Sequence, residues 1–324
     1  MNPPSEELRR ARVALIQPLA VDVLRFELEP ADGRALLPYE AGAHIDVYTP
    51  GGAVRQYSLC GQPGVPGRYA IAVKNETAGR GGSSSMHAGL EVGSLLGIAG
   101  PRNHFPLADQ AGRHVFVAGG IGITPIHAMI HACEAAGRPW ELHYCARSAA
   151  HAAFHPELAA RFPDRVHAYF SEQPLLRPGQ LLRDLAADAH LYCCGPAGLM
   201  QAVKDACPPA CAPRLHFEWF AAPQSAAPVA NQPFDVQVGI GGPVLHVPVD
   251  KSILHVLREH GHDVPSACEE GVCGTCETRV LAGGIDHRDA LLGEEERRTG
   301  RTMMICVSRA RGDRLVLDLQ LEAT

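Results

Sequence analysis

Four cysteines carry the sharpest chemistry in the chain. Cys268, Cys273 and Cys276 lie in the run Cys268-Glu269-Glu270-Gly271-Val272-Cys273-Gly274-Thr275-Cys276, and Cys306 follows after 29 intervening residues. Four thiolates spaced C-x4-C-x2-C…C match the ligation of plant-type [2Fe–2S] centres. Zinc is the competing reading, but zinc knuckles favour two short Cys pairs, whereas here three thiols share one loop. Gly271 and Gly274 allow the backbone to wrap closely and aim its amides at sulfur. Of the other cysteines, Cys60, Cys133, Cys145, Cys193, Cys207 and Cys211 read as small core or loop residues.

Two further sets of residues suit a flavin and a dinucleotide. In Arg55-Gln56-Tyr57-Ser58 a guanidinium can pair with phosphate, a phenol ring can lie against an isoalloxazine, and a hydroxyl can bond near its N5. Downstream, Ala72-Val73-Lys74-Asn75-Glu76 leads to Gly81-Gly82-Ser83-Ser84, which offers backbone amides and hydroxyls as a phosphate cradle before a short helix. Gly119-Gly120-Ile121-Gly122 follows an apolar strand-like run and supplies the bare turn that a diphosphate needs at a helix start, with Thr124-Pro125 in the first turn. It is not the G-x-G-x-x-G of dehydrogenases. Cys194-Gly195-Pro196 ends another strand-like run.

These residues need three kinds of element to hold them. Residues 1–107 contain short alternating runs, Arg12–Ile16, Val23–Leu28 and Tyr69–Val73, between Gly and Pro punctuation, which predicts a small antiparallel β-barrel. Over 108–222 strand-like runs at His114–Ala118, Glu141–Cys145 and Ala189–Cys194 alternate with helical stretches, which predicts a parallel α/β domain. Residues 223–231 read as an Ala/Pro-rich linker. From 232 to 324, two strands at 234–238 and 245–249 and a helix from Lys251 to His260 ending at Gly261 predict a separate α+β module.

Bulk composition narrows the partners. A chain of 324 residues accommodates two or three domains, and 46% hydrophobic with 20% charged residues is that of a globular protein. The net charge of −6 gives no attraction to nucleic acid or anionic lipid. The acidic start, Ser5-Glu6-Glu7, lacks the bases and apolar core of a secretory signal, and no apolar run is long enough to span a bilayer, so a cytoplasmic protein is expected with no membrane partner.

The order of barrel with Arg55-Gln56-Tyr57-Ser58, then Gly119–Pro125, then Cys194-Gly195-Pro196, then the cysteine module resembles the phthalate dioxygenase reductase family, over nearly the whole chain. The resemblance implies FMN on the barrel, NADH on the α/β domain and [2Fe–2S] on a ferredoxin domain, serving a separate Rieske-type oxygenase or demethylase. It places Arg55, Gln56, Tyr57 and Ser58, with Ala72, Val73, Lys74 and Gly81 to Ser84, at the flavin. It places Gly119, Gly120, Gly122, Thr124, Pro125, Arg147, Ser148, Cys194, Gly195 and Pro196 at the nucleotide, and Glu218 and Phe220 near the flavin edge. Ser58, Thr124 and Cys194 are the implied catalytic residues. Residues 149–154 offer no second guanidinium or ammonium for a 2′-phosphate, which favours NADH over NADPH. Two alternatives stand beside this: a ferredoxin carrier on an inert barrel, and the same reductase serving a different monooxygenase.

Overall fold

The computed structural model describes residues 8–172, 174–222 and 230–319. They divide into two compact units, one ending at Glu218 and one beginning at Trp219.

The first unit opens with an antiparallel sheet. Its strands are β1 (Arg9–Ala20), β2 (Val23–Pro30), β3 (Ala43–Tyr48), β4 (Val54–Ser58), β5 (Tyr69–Lys74) and, after helix α1 (Gly82–Gly89), β6 (Leu95–Asn103). They run in the order β4-β3-β6-β1-β2-β5. Alternation sends Phe26 and Leu28 inward from β2 to meet Ala11 and Val13 of β1. Beyond Ser58 the two edge strands approach: Leu59 bridges to Ile71, and Cys60 N–H donates to the Ala70 carbonyl at 2.8 Å. The sheet thereby curls into the expected barrel.

The chain then alternates strand and helix. Strands β7 (Arg113–Gly119), β8 (Trp140–Ala146), β9 (Val166–Phe170), β10 (Ala189–Cys194) and β11 (Leu215–Glu218) are separated by α2 (Ile123–Ala136), α3 (His155–Arg161), α4 (Pro178–Arg183) and α5 (Ala197–Asp205). The sheet is parallel, in the order β11-β10-β7-β8-β9. After β7 the chain winds outward through β8 and β9, then returns to the other side of β7 for β10 and β11. The order therefore reverses between β7 and β10, where open α/β sheets bind ligands at the strands' carboxyl ends. Barrel and α/β sheet share an apolar core in which Val23, Cys60, Ala72 and Phe105 meet Phe116, Ile123, Ile126 and Trp140. Each large side chain buried there contributes about 1.5–3 kcal/mol relative to exposure.

The second unit contains β12 (Phe234–Val238), β13 (Val244–Val247), α6 (Ile253–Glu259), β14 (Glu277–Ala282), β15 (Ile285–Asp286), α7 (Glu294–Thr299), β16 (Thr302–Met304), β17 (Arg309–Ala310) and β18 (Arg314–Leu317). The main sheet runs β13-β12-β18-β14-β16, with β15 and β17 paired apart. Ile253, Leu254, Val256 and Leu257 of α6 are buried in its core with Val236, Leu315 and Leu317. The helix is shorter than the expected 251–260 because the Ser252 hydroxyl caps it, accepting from His255 N–H at 3.2 Å, while Gly261 at φ +80° ends it. Pro248 has no N–H for the hairpin, so β13 ends at Val247. Of the expected linker, residues 223–229 lie outside the described residues.

Candidate functional site

The cysteine loop packs four thiols into the second unit, where Cys268, Cys273, Cys276 and Cys306 are all buried. They come as two pairs, Cys268 with Cys273 and Cys276 with Cys306, each pair in hydrogen-bonding contact. Among the described residues no three His, Cys, Asp or Glu side chains gather about a point that one ion would fill. Two pairs suit a dinuclear cluster, which takes two thiolates per iron, better than a tetrahedral zinc. Gly271 at φ +72° is required here, because a Cβ would stand 2.6 Å from Val307 Cγ2 and 3.0 Å from the Asp289 Cα. The turn presents amides to sulfur: Glu270 N–H lies 3.3 Å from Cys268 Sγ, and the Gly271 N–H reaches Cys306. The thiol of Cys273 and the amides of Glu270 and Val272 draw the Cys268 thiol below its ordinary value. The residues present therefore fit a [2Fe–2S] cluster.

In the barrel, β4 alternation sends Arg55 and Tyr57 to one face and Gln56 and Ser58 to the other. Arg55 lies across the start of α1: a Cβ on Gly82 would stand 2.8 Å from its Cγ and 2.9 Å from its Nε. Gly81 turns the chain there at φ +81°. A guanidinium beside free helical amides is a site for an anion such as a flavin phosphate. Tyr57 packs against the barrel core, and burial pushes its phenol up to about 12. Gln56 Nε2 donates to Asp46 at 2.5 Å, and Arg102 pairs with the same carboxylate at 2.7 Å. Ser58 is buried. Ala72 and Val73 are also buried, leaving only their backbones for a ligand, and Val73 carbonyl already meets His87 Nε2 at 2.8 Å. Lys74 pairs with Glu76, Ser83 Oγ accepts from Glu76 N–H at 3.0 Å, and Ser84 Oγ donates to Asn75 at 3.0 Å. These bonds shape the turn that carries Gly81 and Gly82.

At the switch point the loops after β7 and β10 touch backbone to backbone. A Cβ on Gly122 would stand 2.2 Å from the Cys194 carbonyl oxygen, one on Gly195 2.8 Å from Gly119 Cα, and one on Gly119 2.5 Å from Pro196 Cδ. Gly120 bends the turn at φ +52°. Thr124 and Pro125 are buried in the first turn of α2, and the Thr124 hydroxyl donates to the Ile121 carbonyl at 2.9 Å. Cys194 and Glu218 are register partners at the carboxyl ends of β10 and β11, with Sγ 4.0 Å from Oε2. Burial raises the Cys194 thiol well above its ordinary value and pushes the Glu218 carboxyl up to about 8. That environment favours the protonated form of Glu218. Arg147 is exposed after β8, and Ser148 Oγ lies 2.8 Å from His151 Nδ1. Phe220 belongs to the second unit and is 43% exposed.

Residues 11–106 match the family described as oxidoreductase FAD-binding domain, and residues 241–311 that described as 2Fe-2S iron-sulfur cluster binding domain. The vanillate O-demethylase oxidoreductase of Pseudomonas putida is 46% identical over 312 residues, covering 93% of this chain and 96% of its own. A solved phthalate dioxygenase reductase, described as a modular structure for electron transfer from pyridine nucleotides to [2Fe–2S], matches at a TM-score of 0.71 and 38% identity, over 96% of this chain and 98% of that one. The chain belongs to the phthalate dioxygenase reductase family. It is a flavin- and [2Fe–2S]-type oxidoreductase with that family's barrel, α/β and ferredoxin domains. A type IV self-sufficient cytochrome P450 monooxygenase matches at a TM-score of 0.87 and 40% identity, and there this chain spans 41% of the longer protein.

Some features of this phthalate dioxygenase reductase relative had no local sequence signal. The Asp46–Arg102–Gln56 network joins residues far apart in the chain. Asp289, buried behind the cysteine loop, accepts from Leu292 N–H at 2.8 Å, while Ala290 N–H donates to the Gly271 carbonyl at 3.0 Å. His127 joins the α/β domain to the barrel through the Cys60 carbonyl. Among the described residues no helix is long and apolar enough to cross a membrane.

Proposed function

We propose that the protein takes hydride from NADH onto FMN and passes electrons singly through its [2Fe–2S] cluster to a separate Rieske-type aromatic oxygenase or demethylase. The observation that carries this reading is the pair of sites in one compact unit: the Arg55–Gly82 cradle on the barrel and the bare-backbone crevice between β7 and β10. The bound flavin would supply the conversion of a two-electron hydride into single electrons that a [2Fe–2S] cluster can accept. Arg55 and the first amides of α1 would hold its phosphate. Gly119, Gly122 and Gly195 would let a diphosphate approach the backbone, and Arg147 and Ser148 would meet the ribose. Thr124 would stiffen the turn through Ile121, and Cys194 with Glu218, whose carboxyl is raised by burial, would line the crevice end. A single exposed guanidinium at 147 supports NADH over NADPH. Cysteines outside the cluster set that form no disulfide, such as Cys60, Cys133 and Cys193, support a reducing, cytoplasmic setting.

Chromatography of heat-released cofactor tests the flavin: FMN is expected, and FAD overturns that assignment. The NADH-bleached flavin band separates the enzyme from an electron carrier on an inert barrel. A second reading replaces the Rieske partner with a cytochrome P450, favoured by the match to the reductase portion of a self-sufficient P450. Reconstitution with each acceptor decides: the Rieske oxygenase should turn over with this reductase, and turnover with the P450 alone would reverse the choice.

A further inference from the structure

His127 is buried in α2, three residues after Thr124. Its Nδ1 lies 2.6 Å from the Cys60 carbonyl oxygen and its Nε2 lies 2.8 Å from Glu157 Oε1. A carbonyl and a carboxylate only accept, so both ring nitrogens must donate, and an imidazole that donates twice carries a positive charge. Cys60 sits two residues beyond Ser58, at the end of the flavin strand. One ring thus spans from the strand bearing Arg55–Ser58 to the helix that opens at the nucleotide crevice.

We propose that His127 is a positioning residue for hydride transfer, an imidazolium that fixes the nicotinamide helix against the flavin strand. The role rests on the function proposed above. The ring is fixed on its faces as well as its edges. Phe154 stacks on it with centroids 4.0 Å apart and planes 23° apart, and His131 meets it edge-on at 4.6 Å. Phe154 holds φ +63°, uncommon for a bulky residue, and the Tyr144 hydroxyl donates to the neighbouring Ala153 carbonyl at 3.1 Å to keep that turn. The titratable groups around the ring are Glu157 and Arg161 of α3, Arg25 and Glu27 of β2, His131 of α2 itself, and the Cys60 thiol. Burial pushes His131 down to about 4, so it stays neutral beside the charge. The hydrogen bond from His127 holds Glu157 below the usual carboxylate range. The Cys60 thiol is turned to the Ala70 carbonyl at 3.4 Å and leaves its own carbonyl to His127. A neutral ring could keep only one of the two bonds, so a ring that donates once would leave the tie weaker. The distance between the two reacting cofactors would then loosen, and an offset of about 1 Å costs on the order of a hundredfold in rate.

The test uses the full-length oxidised holoprotein with histidine labelled in 15N, the His127 signals being identified by their loss in His127→Gln. An imidazolium with both nitrogens protonated is expected at pH 7. In Glu157→Gln the introduced amide can donate to Nε2, so a neutral Nδ1–H ring can make both bonds, and that tautomer is expected. Anaerobic stopped-flow bleaching of the flavin at saturating NADH then reads the role. The rate of the native chain relative to Glu157→Gln should fall as pH rises through the His127 titration seen by NMR. Any effect of Glu218 is common to both and cancels. The His127→Gln variant should bleach about tenfold to a hundredfold more slowly, with an unchanged dissociation constant for NAD+ and a native near-ultraviolet spectrum. A neutral His127 at pH 7 in the native chain overturns the imidazolium. A rate ratio that stays flat while the ring titrates overturns the positioning role. A flavin that NADH does not bleach in any variant overturns the functional reading and with it the role, while the NMR result still decides the charge.

Discussion

In the ferredoxin unit three of the four thiols stand within nine residues, and the loop that carries them sets their geometry through its own turns at Gly271 and Gly274. In the first unit the residues proposed for the flavin and the dinucleotide are drawn from residue 55 to residue 218, and no single segment holds them all. The cradle exists because Arg55 of β4 lies on Gly82 of α1, and the crevice because Gly122 and Gly195 let two loops meet. Metal ligation concentrates in a loop because the ligands must converge within a few ångströms of one small object. A dinucleotide and a flavin are long, so their partners are spread along strand ends and brought together only by packing.

Four substitutions can break or sharpen this contrast. The largest effect is expected from Cys276→Ser, which removes one thiolate from its pair with Cys306. Cluster absorbance and the reduced electron-spin signal should be lost and delivery to an oxygenase abolished, while NADH still bleaches the flavin. Full oxygenase turnover by a folded, cluster-free variant would show direct transfer from flavin to partner. Gly122→Val is the reciprocal change. Its Cβ meets the Cys194 carbonyl, backbone that cannot move cheaply, so a loss of about 1–3 kcal/mol of stability is expected together with loss of NADH-driven bleaching. The cluster spectrum should stay intact; if it collapsed too, the two units would not be independent.

Arg55→Ala should weaken flavin binding by about 1.5–3 kcal/mol, the worth of a charge-assisted hydrogen bond, or roughly tenfold to 150-fold in dissociation constant. Flavin retention on dilution measures it, and unchanged retention removes Arg55 from the site. The last change, Glu218→Gln, should touch stability rather than cofactor binding. Glu218 is pushed from its ordinary value of 4.5 up to about 8 in the fold. Between those values the unfolded chain has released the proton and the folded chain has kept it, so stability falls as pH rises across that window and levels off above about 8. The variant lacks this slope and should gain in melting temperature relative to the native chain from pH 5 to pH 8. Parallel melting curves across that range would mean that Glu218 is already ionised in its crevice.

Legibility followed the same division. The C-x4-C-x2-C spacing marked Cys268, Cys273 and Cys276, and Cys306 completed a set that the fold brings into two pairs. Strand alternation and glycine punctuation were enough to read the barrel, the parallel sheet and the helix after Ser252, because those signals are local. Arg55-Gln56-Tyr57-Ser58 was legible as a motif, yet the pleat divides it, sending Gln56 to Asp46 and leaving Arg55 to the cradle. Thr124 was visible as a hydroxyl at a helix start, but only the structure shows that hydroxyl turned back to Ile121.

By itself, then, the order of residues determined which elements form and where the thiols, bare glycines and guanidiniums lie along the chain, since propensity, pleat and turn chemistry act over a few residues. Tertiary structure alone decided which of them meet. The reversal of strand order beside β7, the close approach of Gly122 to Cys194, the pairing of Glu218 with Cys194 and the doubly bonded ring of His127 all join segments dozens of residues apart. Burial and hydrogen-bond partnership are properties of the packed neighbourhood, and a side chain's charge and reach change with that neighbourhood while its letter in the sequence stays the same.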